Sequence, residues 1–358
     1  MSLEKDVLRI VEESNERFRH AKTVTKPKIV FPKPPQKVNI DVKIDNFSDL
    51  VNLVRTYGPQ WRADIEYNID LLALMRIQPD LEHLHAMIGL PKFKNAVLHQ
   101  LLYFLQNLHA DSQDSDFLHT ILCGPPGTGK TEIAKILGKL YSKIGILKNG
   151  TFKKVTRSDL IGGYLGQTAI KTTKVIQECL GGCLFIDEAY SLANKESSQN
   201  DSYSKECLDT LCESLSDNKA NLMVILAGYE NDLQETIFRA NRGLESRFIW
   251  RFVLDDYSPK ELMEIFKKKV HDNRWHMSDE FIDLPWFEKR KADFPHFGRD
   301  MELLFSYTKC CHGRRIYGRM DPALRKRVTL LDVTQGYEMF LSNRRRKKET
   351  YEIPGFYV

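Results

Sequence analysis

The sequence predicts an α/β fold in which a parallel sheet is sandwiched by helices. A small all-helical domain follows this fold, and a helical extension precedes it. Short apolar segments alternate with helical patterns between residues 80 and 255. A glycine-rich segment, 124–131, joins one of these apolar segments to a helix. From Ser258 the pattern is helical to about residue 342.

Length and composition indicate a globular chain. At about 150 residues per domain, 358 residues correspond to roughly two domains. The hydrophobic fraction of 42% is enough for a full core, and a net charge of +5 is too small to indicate a nucleic-acid binder by itself. No apolar stretch reaches the roughly 18 residues of a membrane span. Acidic residues within 1–6 are unlike a secretory signal, so we expect a cytoplasmic protein, or a nuclear one given its basic C-terminal segment.

The first 79 residues are predicted to form a helical extension with a linker. Residues 3–20 have one apolar face, and residues 22–39 contain four prolines among five lysines. The second composition favours an extended tether, although contact with an acidic partner is an alternative. Two further helical patterns cover 47–57 and 60–77.

Five buried strands are predicted in the large domain, residues 80–255. Buried strands that alternate with helices indicate a parallel sheet covered on both faces. Residues 256–343 are predicted to form a helical lid domain, whose first helix has Ser258 as N-cap and Pro259 as first residue. Residues 344–358 are a basic tail. The predicted strands are 117–123, 152–156, 182–186, 222–228 and 248–253.

The seven cysteines include no CxxC pair, which favours buried, reduced thiols. Cys310, Cys311 and His312 are adjacent ligand types. No second ligand pair stands at zinc-finger spacing, so zinc is disfavoured.

The strongest functional motif is a phosphate-binding P-loop that fits G-x-x-x-x-G-K-[ST]. Its glycines allow backbone N–H groups to point at phosphate oxygens, and the helix that follows adds its positive end. Lys130 is expected to reach the β- and γ-phosphates, and Thr131 to ligate Mg²⁺. The fold class is therefore that of a P-loop NTPase. The motif comprises Gly124, Pro125, Pro126, Gly127, Thr128, Gly129, Lys130 and Thr131.

Two carboxylates, Asp187 and Glu188, end the apolar strand at 182–186. At the carboxyl edge of a sheet, Asp187 can hold Mg²⁺ through water, and Glu188 can polarise the attacking water. A helix N-cap is the alternative for such a pair. Its position downstream of the P-loop favours the catalytic interpretation.

With four further segments, these motifs resemble the AAA+ ATPases. The resemblance covers roughly residues 80 to 310 and is closest to the branch that contains the rubisco activase CbbX and the sporulation protein SpoVK. It implies that ATP and Mg²⁺ are bound. The further segments are 87–90 (MIGL), 157–168 (RSDLIGGYLGQT), 224–229 (VILAGY) and 241–248 (NRGLESRF).

The resemblance also implies roles for individual residues outside the P-loop. Ile88 and Gly89 are similar to the segment that lines the adenine pocket. Tyr164 and Leu165 are similar to a pore loop that grips a substrate peptide, and a tyrosine packed under its own loop is the alternative.

Two arginines are similar to catalytic arginines of the family. Arg247 resembles the arginine finger presented to a neighbouring subunit, with an intramolecular salt bridge as the alternative. Arg299 matches the sensor 2 arginine of the lid.

The sequence departs from the family pattern at three places. Related chains often carry a second basic residue where this one has Glu245. A finger of two arginines is therefore not expected unless Arg242 substitutes for that residue. Sensor 1 cannot be assigned in 227–230. The polar insert 194–204 falls where a second pore loop is expected, although a surface loop is equally compatible.

These observations lead to a primary hypothesis of ATP-driven protein remodelling by a homo-oligomeric ring, expected to be a hexamer. ATP would be hydrolysed at subunit interfaces, and an unidentified client or adaptor protein would be recruited by residues 1–79. A nucleotide-dependent switch or scaffold is the first alternative. A nucleic-acid motor is less favoured, because the basic segments contain no recognised DNA-binding motif.

Overall fold

The computed structural model describes residues 36–109, 117–164, 166–193, 202–278 and 282–351. The predicted helix at 3–20, most of the linker and Leu165 lie outside the described residues, as does most of the insert 194–204.

A five-stranded sheet forms the centre of the large domain. Its order is β4-β5-β6-β3-β7, and every strand pair is parallel. All five predicted strands are present within a few residues of their predicted bounds. The α/β fold class is therefore confirmed. The strands are β3 (Thr120–Cys123), β4 (Phe152–Val155), β5 (Cys183–Ile186), β6 (Met223–Gly228) and β7 (Trp250–Val253).

Helices cover both faces of this sheet. Phe185 and Ile225 face one apolar cluster, whereas Leu184 and Leu226 face the other, as expected from side-chain alternation along a strand. The helices of the large unit up to β7 are α1 (Phe47–Tyr57), α2 (Leu71–Ala86), α3 (Pro91–Leu105), α4 (Lys130–Lys143), α5 (Arg157–Leu160), α6 (Gln167–Gln177), α7 (Ser202–Asp217), α8 (Glu230–Leu233) and α9 (Arg242–Glu245).

The helical prediction for 60–77 is wrong in its first half. Residues 65–67 are strand β2 (Ile65–Tyr67), and helix α2 begins only at Leu71, where the Asp70 carboxylate accepts a hydrogen bond from Ala73 N–H. This N-cap fixes the start of the helix. Helix α2 then runs to Ala86, past the boundary predicted after residue 79.

A small separate unit comprises residues 36–38 and 62–66 of the described chain. Strand β1 (Gln36–Val38) pairs with β2 in a two-stranded sheet. An exposed ion pair joins Lys37 to Glu66 at 3.4 Å. Such pairs contribute little to stability.

The region after β7 is helical, as predicted, apart from a short two-stranded ladder. Strands β8 (His276–Met277) and β9 (Arg327–Val328) pair in parallel and were not expected. The last helix passes the predicted start of the tail at residue 344 and ends at Tyr351. The helices are α10 (Pro259–Asp272), α11 (Leu284–Glu288), α12 (Phe297–Ile316) and α13 (Leu330–Tyr351).

Helices α12 and α13 are joined by a polar cluster, here called the lid network, of the buried His312 and Asp332 and the partly buried Arg315 and Thr329. Arg315 donates to both Asp332 oxygens, Nε at 2.7 Å and a terminal nitrogen at 2.9 Å. Thr329 donates its N–H and its hydroxyl to Asp332 at 2.9 and 3.0 Å. Burial opposes ionisation, but these hydrogen bonds outweigh it and lower the pKa of Asp332.

His312 is part of this network. Its Nδ1 lies 3.3 Å from an Asp332 oxygen, and its ring stands against Trp275 with centroids 5.0 Å apart. The Cys311 thiol points elsewhere, towards the Met339 sulfur at 3.4 Å. Among the described helices, none combines the length and apolar character that a membrane span requires.

Candidate functional site

A cleft of about 460 Å³ opens at the carboxyl ends of the strands, between the sheet and the lid. Strands β3 and β4 are consecutive in the chain, but β5 and β6 lie between them in the sheet. Such a break in strand order leaves a crevice at the carboxyl edge. The predicted residues that line the cleft are Pro126, Gly127, Gly129, Lys130, Thr131, Asp187, Glu188 and Arg299.

The P-loop requires glycine where its backbone curls and touches the lid. Gly127 has a φ of +80°, and a Cβ there would lie 2.0 Å from the His296 carbonyl oxygen. Gly129 has a φ of +90° immediately before helix α4. Thr128 is buried and closes the turn by donating its hydroxyl to the Pro125 carbonyl at 2.8 Å. This cradle fits the phosphates of a nucleotide.

Lys130 is the cation of the P-loop and is half-buried. Its ammonium donates to the carbonyls of Gly124 at 2.6 Å and Pro125 at 2.8 Å. Burial lowers the pKa of Lys130, and the nearby Asp187 and Glu188 carboxylates act in the opposite direction. The ammonium thus lies in the cleft, close to both acidic residues.

The acidic pair forms a turn at the carboxyl end of β5. Asp187 follows β5, and its Oδ1 accepts the Glu188 N–H at 3.1 Å. Glu188 adopts the left-handed conformation, with a φ of +50°, and its side chain is exposed in the cleft. A non-glycine residue in this region is uncommon and is often found at functional sites.

The oxygen ligands in the cleft fit Mg²⁺. The Thr131 hydroxyl and the Asp187 carboxylate are hard donors, the type that Mg²⁺ prefers. The described residues contain no group of three or more His, Cys, Asp or Glu that could hold a metal alone. Mg²⁺ commonly takes one or two protein ligands together with phosphate oxygens and water.

The lid closes the cleft through the start of helix α12. Gly298 N–H donates to the Gly127 carbonyl at 3.1 Å, so backbone touches backbone. Arg299 follows, with an exposed side chain that lines the cleft. Lys269 and Glu302 add a lid ion pair at 3.6 Å.

Two predicted adenine-pocket residues, Ile88 and Gly89, do not line this cleft. Gly89 has a φ of +68° and packs against Glu261 and Tyr257 at the start of the lid. Met87, which precedes Ile88, approaches the P-loop. Its Cε lies 3.3 Å from the position that a Cβ on Gly129 would take. The adenine assignment stays a prediction.

Arg247 lies outside the cleft of its own chain. Its guanidinium donates to the Ser216 hydroxyl at 2.7 Å and to the Gly243 carbonyl at 2.5 Å. Glu245 pairs with Arg251 at 2.9 Å, whereas Arg242 is exposed and forms no ion pair with the described residues. The arginine-finger role of Arg247 stays a prediction.

Tyr164 is 75% exposed in the loop between α5 and α6. The base of this loop is anchored by Arg157, the first residue of α5. One guanidinium nitrogen of Arg157 donates to the carbonyls of Ser191 and Leu192, at 2.7 and 2.9 Å, and to the Ser204 hydroxyl at 3.0 Å. Arg157 therefore connects the loop base to the turn after Glu188 and to helix α7.

The sequence analysis gave no role to several residues in or beside the cleft. Tyr229 stands at the end of β6, between the P-loop and the acidic pair, and its ring lies 5.8 Å from the Lys130 ammonium. It follows a predicted strand, so its position could have suggested it. Lys269 and Glu302 come from the lid, and Lys154 on β4 pairs with Asp187 at 2.6 Å. No motif marks these three residues.

Comparison with known proteins gives consistent matches. The family model "ATPase family associated with various cellular activities (AAA)" matches residues 120–251. The cfxQ-like protein R730 of Acanthamoeba polyphaga mimivirus is 37% identical over 323 residues, which are 90% of this chain and 77% of that protein. Stage V sporulation protein K of Bacillus subtilis is 36% identical over 56% of this chain and 62% of its own length.

Two further matches agree with these. CbbX of Cereibacter sphaeroides is 38% identical over 52% of this chain and 60% of its own length. The AAA domain of FIGL-1, solved in complex with ADP, has a TM-score of 0.51 at 21% identity, over 71% of this chain and 83% of that domain. This last likeness supports the fold alone. The chain spans less than two thirds of SpoVK and of CbbX.

Proposed function

The chain belongs to the AAA family of ATPases, and from this premise we propose that it works as a ring that remodels a protein substrate. ATP binding and hydrolysis follow from the family. The ring and the substrate are proposals, and they rest on two side chains that the cleft of one chain leaves unused. These are Arg247 and Tyr164.

Within one chain, Lys130, Glu188 and Arg299 converge on the cleft, whereas Arg247 is bonded outside it. Lys130 and Arg299 would hold the phosphates of ATP, and Glu188 would take a proton from the attacking water. Mg²⁺, held by Thr131 and Asp187, would supply charge neutralisation at the phosphates. Arg247 of a neighbouring copy would complete the site by stabilising the charge on the transferred group.

The exposed Tyr164 is the observation that favours remodelling over a simple switch. An aromatic ring that is 75% exposed between glycines offers a large contact area without a partner in the described chain. The Tyr164 side chains of several subunits would grip an extended peptide. Changes in the angle between the sheet and the lid would move these side chains.

Shared sites can be tested by mixing two inactive variants. The Arg247→Ala variant keeps an intact cleft but lacks the arginine finger. The Glu188→Gln variant keeps the arginine finger but lacks the cleft carboxylate. Each alone should be inactive, and a mixture should recover a fraction of wild-type ATPase, because some interfaces combine the intact halves. Arg314→Ala, which removes an exposed arginine bonded to Gln335, is the control and should remain active. A mixture as inactive as its components, with a wild-type rate per chain that is independent of concentration, would exclude shared sites.

Substrate engagement can be tested with fluorescein-labelled casein as an unfolded polypeptide. We expect casein to stimulate ATPase in the wild type and not in Tyr164→Ala, whose basal rate should stay within about threefold. Tyr317→Ala is the matched control, since Tyr317 is 91% exposed and lies directly after the end of helix α12. An equal response of wild type and Tyr164→Ala, stimulated or not, would favour the switch.

A further inference from the structure

The neighbour of Asp187 on the sheet is a lysine. Lys154 of β4 is in register with Phe185 of β5, and Asp187 comes two residues after Phe185. Since side chains alternate along a strand, Lys154, Phe185 and Asp187 share one face of the sheet. The Lys154 ammonium lies 6.0 Å from the centre of the Phe185 ring, so the lysine stem runs along that ring towards Asp187.

Lys154 occupies one side of the Asp187 carboxylate. Its Nζ lies 2.6 Å from Oδ2, and the side chains of Lys154 and Asp187 are 45% and 21% exposed. The other oxygen, Oδ1, accepts the Glu188 N–H. Asp187 therefore faces the cleft with its charge already balanced by a cation from its own chain.

We propose that Lys154 competes with Mg²⁺ for Asp187 and thereby sets the concentration of free Mg²⁺ that the site requires. This inference rests on the proposed Mg²⁺ role of Asp187. Two cations close to one carboxylate repel each other, and the partial burial of Asp187 limits screening by water. Mg²⁺ must either displace the ammonium or bind against its repulsion.

The chain contains a matched control in the adjacent residue. Lys153 lies on the opposite face of β4 and pairs with Glu178. Lys153 carries the same charge as Lys154 and lies on the same strand, but it does not contact Asp187. Any effect of net charge or of strand stability is therefore common to both lysines, and competition at Asp187 belongs to Lys154 alone.

The experiment measures metal-dependent nucleotide binding without turnover. In a Glu188→Gln background, the fluorescence of mant-ATP bound to the full chain is followed as free Mg²⁺ is raised from zero in EDTA-buffered solution. Lys154→Met retains the apolar stem over Phe185 and removes the charge. We expect it to lower the free Mg²⁺ at half-maximal change by about tenfold, an amount suited to a partly exposed ion pair. Lys153→Met should leave that concentration unchanged.

The other outcomes separate the two proposals. An unchanged or higher Mg²⁺ requirement in Lys154→Met would overturn the competition. If Asp187→Asn raises the requirement while Lys154→Met does not lower it, Asp187 binds Mg²⁺ and only the role of Lys154 fails. If Asp187→Asn also leaves it unchanged, the Mg²⁺ role of Asp187 fails, and the inference fails with it. Lys154→Gln provides a second variant should Lys154→Met fold poorly.

Discussion

The cleft and the lid network contain the same kinds of charged side chain in opposite surroundings. Asp332 is fully buried, and its oxygens accept hydrogen bonds from Arg315 and Thr329. In the cleft, Glu188 and Arg299 are exposed and face open space. Charges whose hydrogen-bonding capacity is filled stabilise the fold, whereas charges that converge without neutralising one another can serve a ligand.

The largest expected effect is a loss of ATP hydrolysis in the cleft, without a change in the fold. Glu188→Gln should lower kcat for ATP hydrolysis by about 10² to 10⁴, because the proposed general base is lost while the shape is kept. ATP affinity should change by less than about threefold. Steady-state ATPase and mant-ATP binding measure the two quantities.

The matched control for this variant is Glu132→Gln. Glu132 also lines the cleft, but it lies near His83 and Lys135 at 4.0 and 3.7 Å. An equal loss of kcat in Glu132→Gln would mean that the cleft responds to total charge and that Glu188 has no special role.

The complementary experiment removes the central carboxylate of the lid network and measures the stability of the fold. Asp332→Ala should lower the free energy of unfolding by about 3 kcal/mol, because Arg315 loses its partner, although that arginine is 19% exposed and can be hydrated in part. Urea unfolding followed by tryptophan fluorescence measures the change. Arg314→Ala, which removes only an exposed bond to Gln335, should change it by less than about 0.5 kcal/mol.

The pH dependence of stability tests the cost of burying a charge at a histidine. His119 accepts a hydrogen bond from Val224 N–H at 3.2 Å and lies 3.3 Å from the Leu215 carbonyl. Burial lowers the pKa of His119 to about 4, from 6.5. Between these values the unfolded chain binds a proton that the folded chain does not, so stability falls as the pH falls.

From pH 6 to pH 5, this difference should reduce the free energy of unfolding by about 1 kcal/mol. His119→Gln should lose that part of the pH dependence. Parallel stability curves for the variant and the wild type would show that His119 is protonated as easily in the folded chain as in the unfolded one.

The smallest effect distinguishes two glycines of helix α12. A Cβ on Gly313 meets no atom within 4 Å, so Gly313→Ala should stabilise the protein by about 0.5 to 1 kcal/mol. A Cβ on Gly298 would lie 2.7 Å from the Gly127 carbonyl oxygen, so Gly298→Ala should destabilise it. Thermal unfolding of the two variants measures the difference, and equal stabilisation by both would contradict the close contact between lid and P-loop.

Local sequence was sufficient for the parts of the site that are contiguous in the chain. The P-loop is one segment whose glycines, lysine and threonine act together, and the acidic pair directly follows an apolar strand. The AAA family and the α/β fold were therefore predicted and are confirmed by the comparisons and by the sheet.

The other residues in or beside the cleft are brought there by contacts between segments that are distant in the sequence. Lys154 contacts Asp187 only because β4 and β5 are neighbours, and Lys269 and Glu302 approach the P-loop only because the lid packs on it. The error at 60–77 has a local cause, since three residues of strand interrupt an apolar pattern that also fits a helix. Two-residue strands such as β8 carry no periodicity to detect.

The hydrogen bonds of Arg157 have a mechanical consequence. The loop with Tyr164 is tied through one guanidinium to Ser191, three residues after Glu188, and to Ser204 in the first turn of α7. If Tyr164 grips a substrate as proposed, a pull on it would pass along the loop and helix α5 to Arg157, and from there to the turn that follows Glu188. In the proposed ring, the rate of hydrolysis would then depend on the tension that a substrate exerts.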